Sequence, residues 1–362
     1  MNSRAEYRNK LIQVLKEQDS VFICGPSYDK THPSYDKTHL RIYACGGRLL
    51  EIPIGAAARI TPFDIEYLKY VKDSPALLSA ALSVLKTVDG RICTPVFTEK
   101  QSKRPGSKRM IPVLTLLDAD GRPLKGPSSV PTEKEAAFCA AVAENLPALL
   151  SMMQNRFVVN GSDGEKERAL QTVIARSHRS FAAHSGTVVC DFESSIPQNY
   201  LRPDSSGKGS ARFDLAALRM RDGGKKAELT VIEYKCNRSA CENDSGLKKH
   251  AQDMLALEHA DAKKNYVSEI LRRFDAMCRA PYGLVEAQPD SLLRLLAQLK
   301  DHPKDVDLRY AFLFTKGPGL DGSTVKSICE KQLGDDRGSF LYQYRDKPED
   351  VDLSVFKPWD QF

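Results

Sequence analysis

Long apolar runs are missing from this 362-residue chain: none approaches the roughly 20 residues that a membrane-spanning helix needs. The opening stretch Met1–Arg8 has no signal-peptide core either. A cytoplasmic protein with no membrane segment is the expectation. Cysteine is present, 9 residues of it, but in odd number and without a CxxC pair, which fits a reducing compartment and not a disulfide framework. Cys236 and Cys241 stand closest together, and no matching His/Cys pair follows at finger spacing, so a structural zinc site is excluded. Lys316-Gly317-Pro318-Gly319 is too short and unordered for a Walker loop. Charge of one sign is also scarce: 53 basic against 47 acidic residues leave a net charge of +6. That balance allows a polyanionic partner without specifying one.

The most informative feature is the apolar run Leu229-Thr230-Val231-Ile232 closing on Glu233-Tyr234-Lys235, the only Glu-x-Lys in the chain. Strand side chains alternate faces, so Glu233 and Lys235 project together and Tyr234 points away. The preceding segment Arg212-Phe213-Asp214-Leu215-Ala216-Ala217-Leu218 is joined to it through Arg221-Asp222-Gly223-Gly224. A two-residue turn centred on Asp222-Gly223 or on Gly223-Gly224 places Asp214 opposite Val231 or opposite Glu233. Either register brings Asp214 to the Glu233/Lys235 face, with directly opposed Cβ atoms roughly 5 Å apart. Buried carboxylates need a partner, and a divalent cation is one. Mg²⁺ prefers hard oxygen ligands, with Mn²⁺ as its substitute, so Asp214, Glu233 and the Tyr234 carbonyl form a ligand set beside a phosphate. Lys235 then orients a metal-bound water and offsets charge on the transition state. The structural alternative is a cross-strand salt bridge at a sheet edge.

Asp214 followed by Glu233-Tyr234-Lys235 resembles the PD-(D/E)xK nuclease superfamily over roughly the C-terminal half of the chain. The resemblance implies a restriction-endonuclease-like mixed sheet flanked by helices, α/β in class, with a separate α+β domain before it. It also implies a hydrolase cutting phosphodiester bonds of nucleic acid, DNA favoured, of the kind found in bacterial defence effectors. Gln252 looks like the glutamine some members carry after the lysine. Glu167, on a helix opening at Glu165, matches the acidic residue often placed before the Asp strand and shares a face with Leu170 and Ile174; Glu165 faces away. Asp191 and Glu193 are reserve acidic residues on a strand Thr187–Phe192, and Pro203-Asp204 is discounted as part of a flexible loop.

A chain of 362 residues exceeds one core, and Asn160-Gly161-Ser162-Asp163-Gly164 marks the break between residues 1–160 and 161–362. Ahead of it, the sequence predicts a helix over Arg4–Gln18 with Leu11, Val14 and Leu15 inside, and a hairpin about Cys45-Gly46-Gly47. One helix is expected over Thr132–Gln154, opened by a Thr132…Glu135 capping box. The heptad Pro26–His32 is repeated unchanged as Pro33–His39 and reads as a surface loop, while Thr98–Arg109 is a basic loop able to touch phosphates. Beyond the break, Lys248, Lys249 and His250 are candidate phosphate contacts, and Tyr266, Ile270 and Phe274 line the apolar face of a helix. Two further readings remain open: a catalytically silent nucleic-acid-binding or interaction module of the same fold, and a nuclease restrained by its N-terminal half. Self-association and a regulatory ligand or protein at that half are compatible with either.

Overall fold

The computed structural model describes residues 4–25, 39–53, 58–101, 110–180, 186–197, 201, 210–222, 226–243, 246–279, 290–299 and 302–362. The duplicated heptad apart from His39, the basic tip from 102 to 109, Pro203-Asp204 and the Gly223-Gly224 turn lie outside them. The architecture is mixed α/β, with one six-stranded mixed sheet and two three-stranded ones. Among the described residues no single helix is long and apolar enough to cross a membrane. The chain divides into two compact units, Met1–Val21 with Leu40–Ala169 and Phe22–His39 with Leu170–Phe362.

The first unit opens with α1 (Arg4–Lys16), whose buried stripe is Arg8, Leu11, Ile12 and Leu15. Ile12 takes the place expected for Val14. Arg8 is buried because its guanidinium meets the carboxylate of Glu135 at 2.7 Å and donates to the carbonyls of Pro53 and Ala58. After β1 (Val21–Cys24), β2 (His39–Ala44) and β3 (Gly47–Pro53) turn about Cys45 and Gly46, both at positive φ of 51° and 84°. Such a turn matches the right-handed twist of a hairpin. A Cβ on Gly46 would also lie 2.5 Å from the backbone of Arg168 and Ala169.

Helix α2 (Pro75–Val88) precedes β4 (Thr94–Gln101), β5 (Met110–Leu117) and β6 (Pro123–Leu124), which form an antiparallel sheet. The single helix expected over Thr132–Gln154 is instead a 3₁₀ turn at Thr132–Lys134, then α3 (Glu135–Glu144) and α4 (Leu146–Gln154), bent by 68°. Pro147 is the physical reason, since it lacks the N–H that a continuous helix requires. Glu135 does not close a capping box; its carboxylate is engaged by Arg8.

The expected break at Asn160–Gly164 is the start of α5 (Asp163–Ser177), and the division between the units falls inside that helix. Ser162 and Glu165 form the helix cap: the Ser162 N–H donates to the Glu165 carboxylate at 2.8 Å.

In the second unit β7 (Thr187–Pro197), β8 (Ser210–Arg221) and β9 (Lys226–Lys235) run as an antiparallel meander. The chain then passes through α6 (Arg238–Glu242), α7 (Leu247–Ala256), α8 (Ala260–Arg279) and α9 (Asp290–Leu299). It returns in β10 (Val306–Thr315), parallel to β9, as a helical crossover allows. Helix α10 (Gly322–Leu333), β11 (Leu341–Arg345) parallel to β10, and β12 (Lys357–Pro358) complete the order β12-β11-β10-β9-β8-β7. Strand β9 is therefore central, and Leu229–Lys235 is buried throughout. That explains its near-continuous apolar sequence. Tyr266, Ile270 and Phe274 belong to the core, the Tyr266 hydroxyl meeting Ser194 at 2.8 Å.

Candidate metal and phosphate site

The site forms where the β8–β9 ladder ends. Its last recorded pair is Leu215 with Ile232, so the next step sets Asp214 against Glu233, the register of a turn centred on Gly223-Gly224. Here the half-buried Asp214 side chain replaces a ladder contact: its Oδ2 accepts the Tyr234 N–H at 2.8 Å. The carboxylate is thereby tied to the peptide between the two catalytic candidates of β9. Tyr234 itself points to the other side, its hydroxyl meeting Thr315.

Glu233 is 1% exposed and Lys235 is 4% exposed. The Lys235 Nζ donates to Glu233 Oε1 at 2.5 Å, and His250 Nε2 lies 2.9 Å from the same oxygen. The other oxygen, Glu233 Oε2, is buried and has no hydrogen-bond partner among the described residues. Burial pushes the Glu233 carboxyl up, but the charges of Lys235 and His250 outweigh it and hold the group below its ordinary value. A buried, ionised carboxylate with one bare oxygen is costly in a closed core, where an orphaned acceptor loses about 1–3 kcal/mol. A cation or an ordered polar ligand on Oε2 removes that penalty.

The ion pair at the sheet is thus real, but it joins residues two apart on one strand and not two strands. Asp214, Glu233, Lys235 and the Tyr234 peptide come together at one strand end. Gln252 lies on α7 with its side chain exposed, and His250 from the same helix reaches Glu233 in its stead. The helix stripe makes the choice: Leu247, Ala251 and Met254 are buried at i, i+4 and i+7, so i+3 faces inward and i+5 outward. Lys248 is exposed, and Lys249 pairs with the buried Asp253.

Glu167 is buried on α5, as its face predicts, and is counted with the first unit. Glu165, the other acidic residue of that helix, caps α5 and pairs with Arg156. Burial raises its carboxyl, but Arg156 and Ser162 prevail and pull it down to about 2. Both reserve residues have structural partners. Asp191 forms a buried ion pair with Arg273 at 2.8 Å and accepts the Cys24 thiol at 2.9 Å, while Glu193 meets the exposed Arg212.

A divalent cation fits the donor set in a limited way. Among the described residues no three His, Cys, Asp or Glu side chains converge as a metal group. Two carboxylates and a backbone carbonyl suffice for Mg²⁺, which keeps several of its waters. Asp214, which also accepts the Tyr234 N–H, and Oε2 of Glu233 are the hard oxygen donors at this strand end, and the Tyr234 carbonyl is in the same peptide run.

The turn after β10 closes down on the end of β9, and a Cβ on Gly317 would sit 1.7 Å from the Cys236 carbonyl. Only a glycine allows that approach, and Arg238 N–H donates to the Pro318 carbonyl at 3.1 Å to hold it. No family model, curated protein or solved structure matches this chain.

Proposed function

We propose that the chain is a magnesium-dependent nuclease of the PD-(D/E)xK kind, hydrolysing phosphodiester bonds of nucleic acid, with DNA the first substrate to test. Asp214 and Glu233 hold Mg²⁺ or Mn²⁺ with the Tyr234 carbonyl. The cation, when bound, neutralises phosphate charge and acidifies water. Lys235 faces the same side as Glu233 and stabilises negative charge on the phosphoryl group as it develops. The observation that carries this reading is the buried, unpartnered Oε2 of a Glu233 kept ionised by Lys235 and His250. It is supported by an antiparallel meander carrying Asp on one strand and Glu-x-Lys at the end of the next, followed by helices and a parallel strand.

One observation favours a second reading, a binding module without catalysis: Lys235 is committed to a buried ion pair with Glu233. Incubating the purified chain with single- and double-stranded DNA and RNA, in Mg²⁺ and in Mn²⁺, separates the two. Cleavage that falls by at least about a hundredfold in Glu233→Ala and Lys235→Ala supports the nuclease. Intact substrate with every cation, and nucleic-acid binding that survives both substitutions, supports the silent module.

A further inference from the structure

His250 is absent from the Asp…Glu-x-Lys pattern, yet among the described residues it is the only side chain outside β9 that meets the Glu233 carboxylate. It sits on Oε1, the oxygen that also receives Lys235, and leaves Oε2 bare. Two donors on one oxygen have a geometric consequence. A cation approaching Glu233 finds a single oxygen free, so bidentate coordination by this carboxylate is blocked.

We infer that His250 is a positioning residue that, together with Lys235, restricts Glu233 to one-oxygen coordination and so sets the site's preference for small octahedral cations, Mg²⁺ and Mn²⁺, over Ca²⁺. This rests on the metal-site reading above. The chemistry follows from the cations. Mg²⁺ takes near-ideal octahedral geometry from a few carboxylate oxygens and retains waters, whereas Ca²⁺ takes more oxygens and often binds a carboxylate through both. Residues that orient a metal ligand without touching the metal typically alter its affinity by about 10–100-fold when removed.

Helix α7 is seated by its buried Leu247, Ala251 and Met254, and His250 adds one polar contact to it. The Nδ1 of His250 is buried and has no partner among the described residues, so the ring is held only through Nε2 and by packing. The bond to Glu233 is therefore what this side chain contributes in polar terms.

The test uses the full-length chain and reads binding in place of turnover. Mn²⁺ affinity is measured by electron paramagnetic resonance of the free ion, and Mg²⁺ and Ca²⁺ by competition, in the parent, Glu233→Gln, His250→Met and His250→Gln. Methionine fills the space without donating; glutamine restores an N–H donor. The parent is expected to bind Mn²⁺ and to lose it in Glu233→Gln. His250→Met should weaken Mn²⁺ by about 10–100-fold and shift competition toward Ca²⁺, and His250→Gln should recover most of both. Parent-like affinity and selectivity in a folded His250→Met, with the Glu233→Gln loss intact, overturns the role of His250 alone. Absence of Mn²⁺ binding by the parent overturns the metal site and this inference together. If His250→Met does not fold, His250→Gln decides, because a donor in the same place must keep the Mn²⁺ preference and a change in selectivity refutes the assignment.

Discussion

Replacing Lys235 by methionine removes one member of a buried pair and leaves Glu233 with His250 as its remaining partner. Breaking a buried ion pair from one side costs about 3–5 kcal/mol, because the surviving charge is left without compensation. At about 2–4 °C per kcal/mol for a unit of this size, the second unit should melt on the order of 10 °C lower near neutral pH. The pH dependence is the sharper part. In the parent the folded Glu233 lies below its ordinary value, so its contribution is present above the unfolded carboxyl value of about 4.3 and lost as pH falls through the folded one. Without Lys235, burial is opposed by His250 alone, and the folded value should rise above the unfolded one. The sign then reverses: any contribution is complete below about 4.3 and lost as pH rises through the folded value. The melting gap between parent and Lys235→Met should therefore be small near pH 4 and widen toward pH 7. Circular-dichroism melts of the full chain in EDTA, taken across that range, give the answer. A gap that is constant with pH, or a variant as stable as the parent at pH 7, refutes the assignment of Glu233 as an ionised group held by Lys235.

Other sites give independent tests. Asp191→Asn should destabilise the second unit by roughly 3–5 kcal/mol through the stranded Arg273, yet leave Mn²⁺ affinity unchanged; lost metal binding in a folded variant would return Asp191 to the site. In the first unit Arg8→Met and Glu135→Gln should each cost about 3–5 kcal/mol in urea unfolding, while Arg8→Met/Glu135→Leu costs less than the sum, since both buried charges are gone. Ser162→Ala should lower stability by about 0.5–1.5 kcal/mol through loss of the bond its hydroxyl donates to the Glu165 carboxylate at 3.1 Å, while the backbone N–H bond to the same group stays. Glu165, pulled down to about 2, contributes stability that is present above about 4.3 and lost as pH falls toward 2, so Glu165→Gln should match the parent more closely at pH 2 than at pH 6.

The parts of the site that are local in sequence were legible. Period-two alternation fixes Glu233 and Lys235 on one side and Tyr234 on the other, and turn parity brings Asp214 to Glu233. Helical spacing also held the information that Gln252 turns outward and His250 inward, since Leu247, Ala251 and Met254 define the stripe. What spacing does not contain is partnership across the fold. Asp191 and Glu193 look like catalytic acids until Arg273, 82 positions away from Asp191, is seen to neutralise the first. Arg8 reads as a surface residue of an amphipathic helix until Glu135, 127 positions on, explains its burial. The kink at Asn145 was written in Pro147, which the apolar periodicity of Ala and Leu around it masked.

The central claim is that Asp214 and the bare oxygen of Glu233 hold a divalent cation. Anomalous diffraction from crystals of the full chain soaked in Mn²⁺ tests it most directly. The account predicts a peak between the Asp214 carboxylate and Glu233 Oε2, with Lys235 and His250 still on Oε1. An empty site at saturating Mn²⁺, or Mn²⁺ bound elsewhere while Glu233 keeps only its present partners, contradicts it.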